Sequence, residues 1–600
     1  MSVKATHAVP QPSADATPLP EGAGAPRSGH PHAPAATQEQ IQLALDQAKT
    51  VTTTHQGGRV ELQLGHFCNN RCVFCGSGQL TERGQADPIP EPALLAVLQA
   101  VADQGMRRVT FLGGEPTIQD SFLPGLSAAV ALGFSEITIF TNGARLWDER
   151  FMAAVEAAVA GVPAPGEPVD LQWRVSIQGG DAASHDRAVG RQGAFSKILK
   201  GLALVRRAGR QATVNMCLTS GSVATLPELA DVLLAHGVQQ VCIDMVRPIS
   251  AGERTDDWMR AILPRFFDLA QPMHRLVERL HAADPAFDVN LTHVPYCVVP
   301  ALAKHIHHGG EATVTFTADL AERQGVMDKY AFQATDRRRM DKCGSCVFAW
   351  RCTGVTHQYL DWHGEDEFTP QTAENLKEAG LLPVAIVDFA RQALGNMEEG
   401  AAVGPWRLLS ARFDPRLPRA ELRWQGPDRG ELFMGIAPQG DPLPPGRLLW
   451  WQFDGGQVDV APTAGLYNSL QLKTLVEWFA LRLGPASGLI DSQKLQGAAR
   501  QFVWLSAALR LLVARDPSYA IHAVDAQWQV SWSSEQGPRW LRLAADEHSP
   551  VAIQQLDPGL AEQAQRPGDA SPLAGLSAAL GSCLRDSRSR RGGGLERRSV

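Results

Sequence analysis

Six hundred residues contain only ten cysteines and five tyrosines, and no apolar run approaches the roughly 20 residues a membrane-spanning helix requires. The opening stretch MSVKATHAVPQPSADATP has no continuous apolar core, so no secretory signal is expected there. Neither sign of charge dominates: 56 Lys and Arg stand against 63 Asp and Glu, for a formal net charge of −7. That balance argues against general nucleic-acid binding, which calls for a basic face, and leaves room only for a local basic patch. With neither span nor signal, the expected location is the cytoplasm. Thiols stay reduced there, and clustered cysteines serve metals more often than disulfides. The chain is too long for one hydrophobic core, so two or three globular units with tails are expected.

Residues 1–55 are rich in Ala, Pro, Ser, His and Gly without periodicity and read as a disordered tail; residues 561–600, ending in SRSRRGGGLERRSV, read as a second, flexible one. No internal repeat is visible. Between Arg59 and Met245 strands alternate with helices. VELQL, RVTFL, EITIF, LQWRVSI, ATVNMCL and VCIDMV are short and rich in β-branched residues. PALLAVLQAVADQG, FSKILKGLALVRRAG and LPELADVLLAHG carry apolar residues at helical spacing, with Gly at or near the end. Successive βα units imply a parallel sheet, and six are too few for a closed eight-fold barrel. The expected fold is therefore α/β: a partial (β/α)6 TIM-like barrel over residues 56–255. In such folds active sites lie at the C-terminal ends of the strands. Residues 256–395 form an irregular, cysteine-containing auxiliary region. Past a linker at LGNMEEGAAVGPW, residues 396–560 read as a separate α+β domain with strands RLLSARF, AELRW, ELFMGI, LLWWQF and AQWQVSW. One of its helices carries Leu472, Leu475, Val476, Phe479 and Leu483. This stretch holds nine of the fourteen tryptophans; Trp528, Val530 and Trp532 share a strand face that reads as core before it reads as a ligand site.

The segment CNNRCVFCGSG places Cys68, Cys72 and Cys75 in one loop directly after the first strand. Three such thiolates can ligate three irons of a cubane cluster and leave the fourth iron open to a ligand that is not protein. An open coordination position is where chemistry takes place. Zinc is the competing reading, but a structural zinc site wants four ligands.

The loop resembles the signature of the radical S-adenosylmethionine (SAM) superfamily, and further motifs follow in that family's order over roughly residues 58–250. Phe74 stands at the aromatic position that in the family lies near the adenine. Gly113, Gly114, Glu115 and Pro116 resemble the segment that meets the methionine amino group of SAM. Thr141, Asn142 and Gly143 follow the third strand. Ser176, Ile177 and Gln178 end the fourth, where the family often places polar contacts to ribose or carboxylate. In HDRAVGRQGAFSKIL, the resemblance implies Arg187 as a contact to the SAM carboxylate, with Arg191 an equal rival. The implied reaction is one-electron cleavage of SAM to a 5′-deoxyadenosyl radical, which abstracts hydrogen from a peptide, protein or small-molecule substrate. A flavodoxin or ferredoxin would serve as electron donor.

A second group, Cys343, Cys346 and Cys352 in DKCGSCVFAWRC with Cys297 upstream, resembles the SPASM-type auxiliary domain. Its four thiolates match better the shorter "twitch" form, with one auxiliary 4Fe–4S cluster. A zinc knuckle is the alternative. Cys217 and Cys242 fall in apolar strands and are expected as core thiols, and Cys583 as an idle tail thiol. His305, His307 and His308 read as a solvated loop before a metal site. Asp244 and Arg247, at the end of strand six, would face the chamber as substrate contacts or as a loop-tying ion pair. Two non-enzymatic readings compete: an iron–sulfur redox or sensor protein, against which the GGEP and TNG motifs count, and a zinc-stapled interaction protein.

Overall fold

The computed structural model describes residues 59–160, 169–247 and 255–307 almost without interruption, and segments of 313–583 thereafter. The tail at 1–55, most of 561–600, and Leu472, Val476, Phe479 and Leu483 lie outside the described residues. The chain divides into two units, residues 1–343 with 351–369 and residues 344–350 with 370–600.

In the first unit the six expected strands are present: β1 (Arg59–Gln63), β2 (Arg108–Leu112), β3 (Glu136–Thr141), β4 (Asp170–Ser176), β5 (Gln211–Leu218) and β6 (Gln240–Met245). They pair in parallel and in chain order. Helices separate them: α1 (Gly76–Glu82) and α2 (Glu91–Asp103) after β1, α3 (Phe122–Ala131) after β2 and α4 (Glu149–Val159) after β3. α5 (Ala182–Val189) and α6 (Ala194–Arg207) follow β4, and α7 (Leu229–Ala235) follows β5. A period of two decides the strands. Val109 and Phe111, Ile137 and Ile139, Leu171, Trp173 and Val175, Val214, Met216 and Leu218, and Val241 and Ile243 are all buried on one face. Each contributes roughly 1.5–3 kcal/mol by leaving water. The intervening residues occupy the inner face: Gln172, Arg174 and Ser176, then Thr213, Asn215 and Cys217, then Gln240, Cys242 and Asp244. Parallel strands buried on both faces read as continuous apolar runs. These do not, so the inner face lines a polar chamber rather than a second core.

The sheet does not stop at Met245. After α8 (Asp256–Ile262) and α9 (Ala270–Ala283), β7 (Asp288–Thr292) and β8 (Ile306–His307) extend it in parallel beyond β6. At the other edge β9 (Thr313–Phe316) pairs in parallel with β1, and β10 (Val326–Asp328) pairs antiparallel with β9. The product is an open ten-stranded sheet, β10-β9-β1-β2-β3-β4-β5-β6-β7-β8. It is the expected partial barrel with added strands at both edges. The histidine run is not the solvated loop expected: His305 is buried with its ring 5.2 Å from that of His281, His307 belongs to β8, and His308 lies outside the described residues. Burial pushes the His305 pKa down to about 4. A short ladder, β11 (Arg337–Arg338) with β12 (Val355–Thr356), leads into α10 (His357–His363).

In the second unit α11 (Ala373–Glu378) and α12 (Ile386–Leu394) precede an antiparallel sheet, and α12 packs on it. Its strands are β13 (Ala402–Val403), β14 (Trp406–Asp414), β15 (Arg419–Gln425), β16 (Glu431–Pro438), β17 (Leu448–Phe453) and β18 (Gly456–Pro462). A second sheet holds β19 (Ala520–Val524), β20 (Gln527–Ser534), β21 (Gly537–Ala544) and β22 (Ala552–Leu556). Trp528 and Val530 are buried on one face of β20, as the core reading expects, whereas Trp532 on the same face is only half-buried. Cys583 is not an idle tail thiol: it is fully buried, and an Arg515 N–H points at its sulfur from 3.6 Å.

Candidate functional site

The cysteine loop leaves the C-terminal end of β1 and is clamped along its length. Gly114 N–H donates to Gly65 O at 2.6 Å and Glu115 N–H to Phe67 O at 2.8 Å, binding the GGEP segment to the start of the loop. Both glycines are required by that approach: a Cβ at Gly114 would lie 2.2 Å from Phe67 O, and one at Gly113, where φ is +111°, 2.7 Å from Gly65 O. In the middle of the loop, Arg71 N–H and Val73 N–H donate to Val189 O and Ala188 O at the last turn of α5, at 2.8 and 2.9 Å. Trp258 Nε1–H donates to Val73 O at 3.0 Å. At the exit, the Thr81 hydroxyl in α1 accepts from Cys68 N–H at 3.0 Å. Phe74 sits half-buried within this clamp.

The three thiols of the loop lie within electrostatic reach of one another. Cys68 Sγ accepts from Asn70 N–H at 3.4 Å and faces the Asn142 amide nitrogen at 3.8 Å. Such donors stabilise negative charge on a cluster-ligating sulfur. Burial pushes the Cys68 thiol up to about 12, with Glu115 and Cys75 adding to the shift. Cys72 is raised well above the ordinary thiol range by burial first, then by Cys75, Cys68 and Cys217. Crowded thiolates in so dry a place repel one another, and a bound cation would reverse that balance. Among the described residues no three His, Cys, Asp or Glu side chains converge on a single-ion centre.

Glu115 is fully buried and fully used. Its Oε1 accepts from Thr117 N–H, the Thr117 hydroxyl and the Thr141 hydroxyl at 3.1, 2.5 and 2.6 Å, and its Oε2 accepts from Asn142 N–H at 2.6 Å. Burial raises its pKa against the pull of these donors. The carboxylate thus ties the Gly113–Pro116 segment to Thr141 and Asn142. Asn142 in turn donates to Asn69 Oδ1 at 2.7 Å. Ser176 stands on the inner face, whereas Gln178 is buried: its Oε1 accepts from Cys217 N–H at 2.7 Å and its own N–H donates to His185 Nδ1 at 2.9 Å. Arg187 reaches Gly221 O at 3.5 Å, away from the loop, while Arg191 reaches Asn69 O at 3.4 Å within it.

Sequence reasoning assigned Cys217 to the core, and the structure places it on the inner face instead. In the β5–β6 register Cys217 lies directly opposite Asp244, and Asp244 opposite Thr292 of β7. Burial raises the Cys217 thiol well above its ordinary range, followed by the charges of Asp244 and Cys75. Asp244 Oδ2 accepts from Asn215 Nδ2 at 2.9 Å, and its Oδ1 lies 3.7 Å from Nδ1 of His293. His293 is the only non-glycine residue with positive φ (67°) among the described residues. Of the two roles open to Arg247, the ion pair is the one observed: Nε and an Nη donate to Asp336 Oδ2 at 3.1 and 2.8 Å, tying the end of β6 to the start of β11. Polar residues at alternate positions of β5 and β6 were the available signal.

The second cysteine group divides. Cys343 follows Met340 in a turn, and Cys352 Sγ accepts from Gly354 N–H at 3.4 Å beside β12. The Arg351 guanidinium lies 4.3 Å from the centre of the Tyr296 ring, so the segments carrying Cys352 and Cys297 adjoin. Cys346 falls in the other unit, where its carbonyl accepts from Ala349 N–H.

Residues 62–225 match the family model described as the radical SAM superfamily. A PqqA peptide cyclase from Rhodopseudomonas palustris is 28% identical over 176 residues, 29% of this chain and 43% of that protein. A GTP 3′,8-cyclase from Chlorobaculum tepidum is 32% identical over 138 residues, 22% of this chain and 41% of that protein. The chain spans about half the length of the curated relatives it matches. Among solved structures, Streptococcus suis SuiB bound to SAM aligns over 54% of this chain and 79% of its own, at 16% identity and a TM-score of 0.37. The cysteine loop, the GGEP and TNG segments and strands β2 to β5 all fall within residues 62–225, the segment that is similar to the radical SAM superfamily.

Proposed function

We propose that this chain is a radical SAM enzyme in which Cys68, Cys72 and Cys75 hold a 4Fe–4S cluster with one iron left for SAM. We assign a second cluster to Cys297, Cys343, Cys346 and Cys352. The observation that carries the reading is the clamp on the cysteine loop, held by Gly114 and Glu115 on one side and by the end of α5 on the other. When bound, the cluster and SAM together supply a 5′-deoxyadenosyl radical that removes a hydrogen atom from substrate. The chain's own residues position and protect. Gly113 and Gly114 bring the GGEP backbone against the loop, and Glu115 fixes that segment to Thr141 and Asn142. Arg191, beside Asn69, supplies the positive charge for the SAM carboxylate in preference to Arg187. Phe74 packs on the adenine, and Ser176 offers a hydroxyl to the ribose.

The substrate is held against the polar inner wall of β4–β7, which suits a peptide or nucleotide better than a lipid. The named relatives act on a peptide and on GTP, and both classes fit such a wall. A one-electron donor such as a flavodoxin or ferredoxin completes the partners. The test is a count of iron and sulfide in anaerobically reconstituted protein. Two clusters give about eight irons per chain, and Cys68→Ala, Cys72→Ala and Cys75→Ala each remove about half. Zinc in place of iron would overturn the reading.

A further inference from the structure

The inner faces of β3 to β7 carry four carboxylates and one cation. Each carboxylate has a partner: Glu136 pairs with Arg59, Asp170 accepts from Gln172, Asp244 from Asn215 and Asp288 from Asn290. The cation, Arg174 in the middle of β4, has none. Its Nε is closed to solvent with nothing to donate to, and among the described residues its Nη groups make no hydrogen bond or ion pair. What steadies it is Phe140, its ladder neighbour on β3, whose ring centre lies 5.7 Å from the guanidinium carbon. An aromatic face attracts a guanidinium but leaves its N–H donors unused. On its own strand the nearest carboxylate, Asp170, stands four residues back, roughly 13 Å away. The other ladder neighbour is Thr213 of β5, and the Thr213 hydroxyl also makes no hydrogen bond among the described residues. A planar fork of donors beside an unused hydroxyl, half-buried on the chamber wall, is a seat for an oxyanion.

On the footing of the radical reading above, we infer that Arg174 is a substrate-binding residue and that the substrate presents a carboxylate to it. A guanidinium takes carboxylate and phosphate alike, so the charge count decides. One unpaired cation balances one carboxylate. A triphosphate would bring several negative charges to a wall that already holds Asp244 and offers no second cation on β3 to β7. Position along the strand agrees. Arg174 lies two residues before Ser176, roughly 7 Å deeper in the chamber than the hydroxyl assigned to the ribose. A substrate anchored there by its carboxylate turns the remainder of its length toward the nucleoside. The carboxylate comes from an acidic side chain of a peptide or from a small carboxylic acid, and a nucleotide is the class excluded.

Phenylglyoxal modifies unpaired guanidinium groups, so full-length protein is treated with it and labelling of Arg174 is followed by peptide mass spectrometry. The probes are the capped tripeptide Ala-Glu-Ala, its Ala-Gln-Ala twin, glutarate and GTP, each tested with SAM present. Labelling should slow with an acidic probe, at a concentration at least about tenfold below the one the glutaminyl twin needs. Protection by the glutamyl peptide without glutarate assigns the carboxylate to a peptide; protection by glutarate assigns a small acid. Binding of the protecting acid, read by calorimetry, should weaken about tenfold or more in Arg174→Gln and largely survive in Arg174→Lys, with SAM affinity unchanged in both. Equal protection by the glutamyl and glutaminyl peptides, stronger protection by GTP, or no protection by any probe would overturn the assignment. Protection by SAM alone, or loss of SAM affinity in Arg174→Gln, would hand Arg174 to SAM and overturn it too. The labelling needs neither cluster nor turnover, so a failed iron count would sink the radical reading and leave this result to be judged separately.

Discussion

A methyl group at Gly114 would sit 2.2 Å from the Phe67 carbonyl oxygen, and neither atom can move without shifting the cysteine loop. Gly114→Ala should therefore cost about 1–3 kcal/mol in a thermal or urea melt and lower the iron retained after reconstitution. Gly84→Ala, at an open position with φ of +67°, should cost about 1 kcal/mol at most and leave iron unchanged. Equal iron loss in both would remove the clamp from the account. His185 gives a second residue-level test. Its Nδ1 accepts the Gln178 N–H, and burial holds its pKa down at about 4. An unfolded histidine titrates near ~6.5, so the unfolded chain takes up the proton first. Stability from His185 is then fully present above that value and is lost as pH falls toward 4, a window it shares with His305. Urea midpoints at pH 7.5, 6 and 5 should fall in that order; a flat series contradicts the buried neutral pair. Cys68, Cys72 and Cys75 were legible because their spacing carries the chemistry. Cys217 was not, because strand periodicity separates two faces without saying which one is wet.

α5 shows how a short element supports the site at a distance. An Asp181–Ser184 capping box starts it, and Gly190 ends it in the left-handed region with φ of 63°. Its last carbonyls hold Arg71 and Val73. Asp181→Ala should cost about 1 kcal/mol, read as a lower thermal midpoint. Should the iron content of that variant fall as well, the helix end would be shown to set the loop; unchanged iron would leave α5 with a purely structural role. The cap residues and the Gly stop of this helix are visible in HDRAVGRQG and its approach. The bond from its carbonyls to the cysteine loop is not, since it joins residues more than a hundred positions apart. β7 and β8 escaped for another reason: DVNLT alternates but is short and half polar, and β8 has two residues. Only pairing, of β7 with β6 and of β8 with β7, makes them strands.

At the scale of the molecule, the alternation of strands and helices announced the parallel sheet, and alternation again announced β14 to β17 and β20 of the second unit. What no local pattern encodes is the return of the chain at β9 to the far side of β1, or the burial of Cys583. The second cysteine group belongs to this scale too. Substituting Cys343 and Cys352 together by alanine should lower iron from about eight to about four per chain, with the first site still loaded; unchanged iron would deny that group a cluster. The central claim rests on the first site. The most direct measurement is 5′-deoxyadenosine formed from SAM and dithionite by reconstituted wild-type protein beside Cys72→Ala. The account predicts product from the first and none from the second. Product from both, or none from an iron-loaded wild type, would contradict it.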